Sequence, residues 1–416
     1  MATKTGDNRL RILLVGTRIL PFRHSGDKNF WLDIIHGLQR LGHAIEIVSV
    51  MVEDVPTEGL PLLRVPPIPM YLRPDLRFNP SHRHIAGTNN YVSKTISLPR
   101  IVRAVRRRQK AFRPDVIHFI DNYGPAMMGV RAAFGRGPLT ISAPTYQPDR
   151  PLYDRLLQAS FTSFDVVVPF SEAYRRRLLE LHFPPERVRR IRWGIDVQKI
   201  APPSAAQRES ARRELGLTPE QLVILWTGFI QQTGEPDLRL AMRTAEQTLR
   251  TSPSKYAFLF CFKPEHFKER YRDFERPGLR VFGTADAFHA ARTSADILLS
   301  PFQDARSTAA PPLAWLECLA MGIPILTTEI PGVDEAVVAG RSGFAVRSPN
   351  VASERLVELA SDAGLQRRLR EGARQITVER YSADRALDEY VELWSTLSLA
   401  KGSSMPRASS QKRTPS

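Results

Sequence analysis

The start of the chain reads strand, loop, helix, strand, and that order constrains the whole fold. Arg11 to Val15 is a short apolar run. The spacing predicts a helix over about 28–41, with Phe30, Ile34 and Leu38 on one face and Trp31 and Ile35 widening it. Gly42 and His43 stop that helix before a second apolar run at 44–50. A helical crossover between neighbouring strands makes them parallel, so the loop after the first strand lies at the carboxyl edge of a sheet, where ligands collect. That loop contains His24, Gly26 and Asp27. Gly26 permits a close approach of backbone to ligand, and the amides that follow it open a helix. A plain turn glycine is the alternative.

The alternation continues. After a Pro- and Arg-rich stretch at 53–98, read as an irregular elaboration, a basic helix is expected over 99–113 and strands over 115–120, 139–143, 164–169 and 188–193. The run Ala201-Pro202-Pro203-Ser204-Ala205-Ala206 reads as a hinge. A second series of strands follows at 222–226, 256–262, 280–282, 297–299 and 323–327. The expected architecture is α/β, with two Rossmann-like domains facing across a cleft. The expected division is a first domain over 1–200, a second over 201–382, a final helix over 383–399 able to cross back to the first domain, and a disordered basic tail over 400–416.

Composition narrows the partners. At 416 residues and 42% hydrophobic, the chain has material for two cores. Lys and Arg number 59 against 43 Asp and Glu, a net charge of +16 that favours anionic partners. Cys261 and Cys318 both sit in apolar runs, which argues against a disulfide framework or a thiolate metal site and for a reducing, cytoplasmic setting. No run is long enough to span a bilayer or act as a signal peptide. The arginines at 100–113 suit either a solvated outer helix or peripheral contact with the inner, anionic face of a membrane. They lack the aromatic spacing of a nucleic-acid surface, so nucleic acid is not the expected partner.

The chemistry centres on 312–328, where Glu317 is the one carboxylate inside an otherwise apolar helix just before a buried strand. Burying that charge unpaired would cost several kcal/mol, roughly, so Glu317 is expected to face a cleft and accept hydrogen bonds there. The alternative is that it caps a helix or pairs with a local Arg. Upstream, Ser307 and Thr308 belong to a small, polar helix start suited to an anionic ligand. Asp121 and Asn122 follow the strand at 115–120 on the ligand edge, fit either to hold a polyhydroxyl acceptor or to cap the next helix. Zinc-protease, phosphate-loop, compact dinucleotide-loop and serine-hydrolase patterns are absent from the sequence.

Taken in order, LQRLGHAIEIV at 38–48, PDVIH at 114–118, VVVPFSEAYRRRL at 166–178, IRWGID at 191–196, GLRVFGTAD at 278–286, SADILLSPF at 294–302, PLAWLECLAMGIPILTTEIPGVDEAV at 312–337 and GRSGFAV at 340–346 resemble the retaining GT-B glycosyltransferases. This large, family 4-like group contains sucrose synthases, glycogen synthases and many glycolipid sugar transferases. The resemblance implies that Glu317 binds the nucleotide ribose while preceding amides approach the diphosphate and sugar. It implies a pocket-forming loop at Gly332 and Glu335 beside the donor, and it places Tyr146 where relatives carry a His near the transferred sugar. Tyr146 and His24 are the candidate catalytic positions. No cofactor or bound metal is implied.

Two departures stand out. Relatives carry a second Glu eight residues before the ribose-binding one, where this chain has Ala309. They also carry an Arg and a Lys after the first strand of the second domain, where this chain reads Gly228-Phe229-Ile230-Gln231-Gln232-Thr233-Gly234. Gly228 and Thr233 remain candidate donor contacts there, and Lys263, with Arg306 and Arg23 behind it, is the expected substitute cation. The expected activity is retaining transfer of a sugar from a nucleotide diphosphate to a hydroxyl or amine of a small-molecule or glycolipid acceptor. A catalytically impaired homologue with a regulatory, scaffold or assembly role is the alternative.

Overall fold

Among the described residues, twelve strands form two six-stranded, wholly parallel sheets with the same topology. The structure is a computed structural model that describes residues 9–17, 26–50, 59–66, 68, 91–120, 124–135, 137–143, 151–229, 235–263, 267–283, 287–303 and 311–403. The first sheet contains β1 (Arg11–Thr17), β2 (Ala44–Val50), β3 (Leu62–Val65), β4 (Val116–Phe119), β5 (Leu139–Ala143) and β6 (Val166–Pro169), in the order β3-β2-β1-β4-β5-β6. The second contains β7 (Leu222–Phe229), β8 (Tyr256–Lys263), β9 (Leu279–Gly283), β10 (Ile297–Leu299), β11 (Ile325–Thr328) and β12 (Gly343–Val346), in the order β12-β11-β10-β7-β8-β9. Each sheet reverses direction of growth once, between β1 and β4 in the first and between β7 and β10 in the second. In open parallel sheets, ligands lodge at the carboxyl ends of the strands beside that reversal.

Strands buried on both faces explain the unbroken apolar runs, and every residue of β4 and β5 is buried. The helices that bear on the site are α1 (Gly26–Arg40), α2 (Tyr91–Phe112), α3 (Glu172–Glu180), α4 (Ala205–Glu214), α5 (Glu235–Thr251), α6 (Phe288–Ser294), α7 (Leu313–Ala320), α8 (Ala363–Arg380) and α9 (Ala383–Ser403). The two halves face one another and share an apolar zone in which Phe170 stacks on Trp193 at 3.6 Å and Phe30 meets Trp193 edge-on at 5.2 Å.

The chain passes between the halves twice, and the two passages pair. Ile195 N donates to Tyr381 O at 2.9 Å, and Ala383 N donates to Ile195 O at 2.8 Å. Gly194 makes that approach feasible, since a Cβ there would fall 2.7 Å from Ala383 Cα. After the second passage α9 packs on α1 and the first sheet, where Tyr390 and Trp394 enclose His118. His118 is completely buried, with Thr140 Oγ1 at 2.7 Å and Ser142 Oγ at 3.0 Å, and Ser142 Oγ lies 2.8 Å from the Tyr390 hydroxyl. It is a structural histidine whose pKa burial lowers to about 3.

Several expectations need correction. The 188–193 run makes a single bridge, Val188 with Val167, and then follows β6 through Arg189 N and Ile191 N without forming a strand, Ile191 and Trp193 turning into the shared zone instead. Within 53–98 the chain forms β3 and begins α2, which carries Pro99 in its interior and starts well before the expected residue. The hinge is shorter than 201–206, because Ser204 and Gln207 form a reciprocal capping box that starts α4 at Ala205. The final helix runs to Ser403, and 404–416 lies outside the described residues.

Candidate functional site

Glu317 occupies the second turn of α7, whose Trp315, Leu316, Cys318, Leu319 and Ala320 are buried in the second half. That apolar commitment fixes the helix and leaves its one carboxylate at a partly open position, with about 24% of the side chain exposed. Arg292 of α6 donates from Nη1 to Glu317 Oε2 at 3.2 Å. The local-Arg pairing therefore exists, with a partner that sequence reading missed. No pattern in the sequence singles out Arg292, 25 residues away. Its guanidinium lies over the Phe288 ring at 5.4 Å, and its Nε is buried with no hydrogen-bond partner. Among the described residues nothing reaches Glu317 Oε1, so the carboxylate keeps an acceptor oxygen.

The backbone leading into 304–310 is tightly held. Trp315 Nε1 donates to Ser300 Oγ at 2.8 Å, Thr327 Oγ1 to Ser300 O at 2.7 Å, and Phe302 N to Thr328 Oγ1 at 2.8 Å. Gln303 N then donates to Asp237 Oδ1 of α5 at 2.6 Å. The carboxyl end of β10 is thus a rigid lip beside the strand-order reversal. Ser307, Thr308, Arg306 and Ala309 fall just beyond it, outside the described residues.

The other predicted residues divide between places. Gly228 lies within β7, where a Cβ would come 2.6 Å from Trp226 Cζ2, so the ring of Trp226 requires glycine there. Lys263 closes β8 in register with Phe229. Gly26 and Asp27 open α1, the helix that follows β1 in the chain. Gly332 has φ +82°, a left-handed conformation that favours glycine, and caps a single turn at Val333–Glu335. Tyr146, His24, Arg23, Asp121, Asn122 and Thr233 lie outside the described residues.

Glu335 is engaged between the halves. Its Oε1 accepts from Glu172 N at 2.6 Å and Ala173 N at 3.3 Å, at the start of α3, and its Oε2 pairs with Arg190 at 3.3 Å. Its own carbonyl accepts from the Tyr381 hydroxyl at 2.7 Å. Burial pushes its carboxyl above the usual range, while the two amides, Arg190 and Arg192 pull the other way. A helix start offers free N–H groups and a positive field, which explains why a carboxylate from the opposite half docks there.

The basic helix α2 spends part of its charge internally. Arg106 donates to Ala133 O at 2.8 Å and Arg108 pairs with Glu46 at 3.5 Å. No helix among the described residues is long and apolar enough to cross a membrane.

Comparison with known proteins matches each half to a family model: Glycosyltransferase Family 4 over residues 25–199 and Glycosyl transferases group 1 over 221–362. Among curated relatives, the D-inositol 3-phosphate glycosyltransferase of Acidothermus cellulolyticus is 29% identical over 182 residues, 41% of this chain and 40% of that protein. The enzyme of that name from Corynebacterium urealyticum is 29% identical over 214 residues, 49% of this chain and 50% of that protein. The chain thus spans about half the length of the curated relatives it matches, or less. Its fold is shared with a glycosyltransferase from Rickettsia africae (TM-score 0.69, 16% identity, 94% of this chain and 99% of that one). It is shared also with the sucrose-phosphate synthase of Thermosynechococcus elongatus (TM-score 0.71, 13% identity, 94% and 100%) and with Anabaena HepE in complex with UDP (TM-score 0.67, 13% identity, 93% and 100%). Two family models in succession, one on each of two facing Rossmann-like sheets, place the chain in the GT-B glycosyltransferases related to family 4.

Proposed function

We propose that the chain is a retaining glycosyltransferase that moves a sugar from a nucleotide diphosphate to a hydroxyl or amine. In this reading residues 201–382 hold the donor and 1–200 most of the acceptor. The observation that carries it is Glu317: a carboxylate in an apolar helix beside the reversal of the second sheet, with one oxygen on Arg292 and no donor to the other among the described residues. A carboxylate so placed accepts ribose hydroxyls, and Ser307 and Thr308, which follow the lip at Ser300–Gln303 in the sequence, are assigned to the phosphates. Gly332 shapes the adjoining loop.

On the acceptor side, Gly26, Asp27, Asp121, Asn122, His24 and Tyr146 are assigned to the sugar and acceptor. The unshifted pKa of tyrosine, about 10, makes Tyr146 a hydrogen-bond donor rather than a base. The leaving phosphate takes the acceptor's proton on the same face, and closure of the halves keeps water out. Lys263 is assigned to the diphosphate charge. The relatives named D-inositol 3-phosphate glycosyltransferases support a hydroxylated small-molecule acceptor. The two cysteines, both buried in apolar surroundings, suit a reducing cytoplasm, and the remaining arginines of α2 suit peripheral contact with an anionic membrane.

A panel of nucleotide sugars with polyol and glycolipid acceptors, read by product NMR, tests this. Turnover with the donor's anomeric configuration kept is the expected result, and inversion would refute the retaining assignment. The absence of a cation from 228–234, together with Ala309, favours the second reading of an impaired homologue with a regulatory, scaffold or assembly role. Nucleotide binding without turnover across the whole panel would establish that reading instead.

A further inference from the structure

On the second half, a groove of about 390 Å³ runs between α5 and the turn Arg272–Phe274. Tyr271 lines it with only 6% of the residue exposed. Its ring is fixed by stacking on Phe262 of β8 at 5.0 Å and 7°, and by Phe274 at 5.9 Å. Yet the Tyr271 hydroxyl has no hydrogen-bond partner among the described residues. Enclosed polar groups are nearly always satisfied, so a fixed hydroxyl without a partner points to a missing one.

Above it the charges do not balance. Arg239 and Arg270 both donate to Glu235 Oε1, at 3.0 and 3.4 Å, and keep 68% and 59% of their side chains exposed. Arg243 lies one turn further along α5, lines the same groove and has no ion pair among the described residues. Glu246, the other carboxylate here, is taken by Arg276 at 3.0 Å. Two guanidiniums thus share one carboxylate, and a third lines the same groove without an ion pair among the described residues, over a neutral hydroxyl donor. Burial and the charge of Glu235 hold that phenol protonated.

We propose that this groove binds a phosphate-bearing ligand, held by Arg239, Arg243 and Arg270 with the Tyr271 hydroxyl as the neutral donor at its base. Guanidiniums bind phosphate through paired N–H donors, and three of them with a hydroxyl supply more donors than one carboxylate can use. Glu235 opens α5 directly after 230–234 at the carboxyl end of β7, so the groove starts on the ligand edge of the sheet. The phosphate therefore has two sources: the diphosphate of the donor, which rests on the function proposed above, or a separate phosphorylated molecule, which does not.

Calorimetric titration of the full chain with inorganic pyrophosphate at low ionic strength tests the site. Saturable binding is expected. Arg243→Gln and Arg270→Gln each weaken it about tenfold, the loss of one charge-assisted contact. Tyr271→Phe weakens it severalfold without lowering the thermal midpoint, and Glu235→Gln tightens it by removing the competing carboxylate. Uridine diphosphate displacing pyrophosphate identifies the donor as the source, and simultaneous binding identifies a second ligand. No saturable binding, or binding that the Arg243, Arg270 and Tyr271 variants leave unchanged, overturns the proposal. Glu317→Gln measured in parallel separates the two readings, since loss of nucleotide with pyrophosphate retained bears on the ribose contact alone.

Discussion

Replacing Glu317 by Gln separates binding from stability, because the two effects differ in size. The Glu317–Arg292 pair is about a quarter exposed at both ends, so solvent screening limits its contribution to folding to about 1 kcal/mol or less. The same substitution removes a charged acceptor from ribose hydroxyls, an interaction of about 1.5–3 kcal/mol, equivalent to about a 10- to 150-fold weaker nucleotide Kd. Affinity should therefore change more than stability. Titration with uridine, adenosine and guanosine diphosphates measures the first, and urea unfolding measures the second. Arg292→Met is the control, leaving Glu317 in place but unheld, and should weaken nucleotide binding less than Glu317→Gln. Unchanged affinity for every nucleotide in a Glu317→Gln protein of normal stability would refute the ribose assignment and reduce Glu317 to an ion-pair partner.

Asp296→Asn should destabilise the second half by about 3–5 kcal/mol in urea unfolding, because Arg208, Arg212 and Arg370 all converge on this buried carboxylate and would be left facing one another. Desolvation already lowers the Arg208 pKa to about 10. Acid should weaken the fold through His118: the unfolded chain takes a proton below about 6.5 while the buried ring stays neutral to about 3, so stability falls by about 1.4 kcal/mol per pH unit across that window. His118→Gln should flatten that part of the stability–pH curve, and an unchanged slope would point to other groups. Glu335→Gln should speed hydrogen exchange at the amides of Glu172 and Ala173 about tenfold or more while exchange in β7 and β8 stays slow. Equal exchange in both proteins would show that the carboxylate contributes nothing to joining the halves.

Much of the architecture was legible because parallel strands buried on both faces leave an unmistakable apolar signature, as at 44–50 and 139–143. The short edge strands β3 and β12 escaped notice for the converse reason: LLRV is half-buried, and GFAV starts at a glycine whose Cβ would strike Ile325. Val188 to Trp193 misled because burial alone produces a strand-like run whether or not a ladder forms. At the site, Glu317 was readable as a lone carboxylate among apolar neighbours, whereas Arg292 was not, since its significance depends on two helices packing side by side. Glu335 illustrates the same limit. Its place at a local helix start was visible, but its docking onto a helix from the opposite half depends on long-range geometry that no local pattern encodes.

The paired passages at Ile195 and Tyr381 bear on how the protein is made. Trp31, His118 and Ser142 lie early in the chain, yet the rings that cover them, Tyr390 and Trp394, are among the last residues described. A nascent chain emerging from the ribosome can pair β1 through β6 but must leave that aromatic face bare until α9 has cleared the exit tunnel. Fragments ending before Tyr390 should therefore aggregate or draw chaperones even though they carry a whole sheet. The N-terminal half is assembled first and finished last.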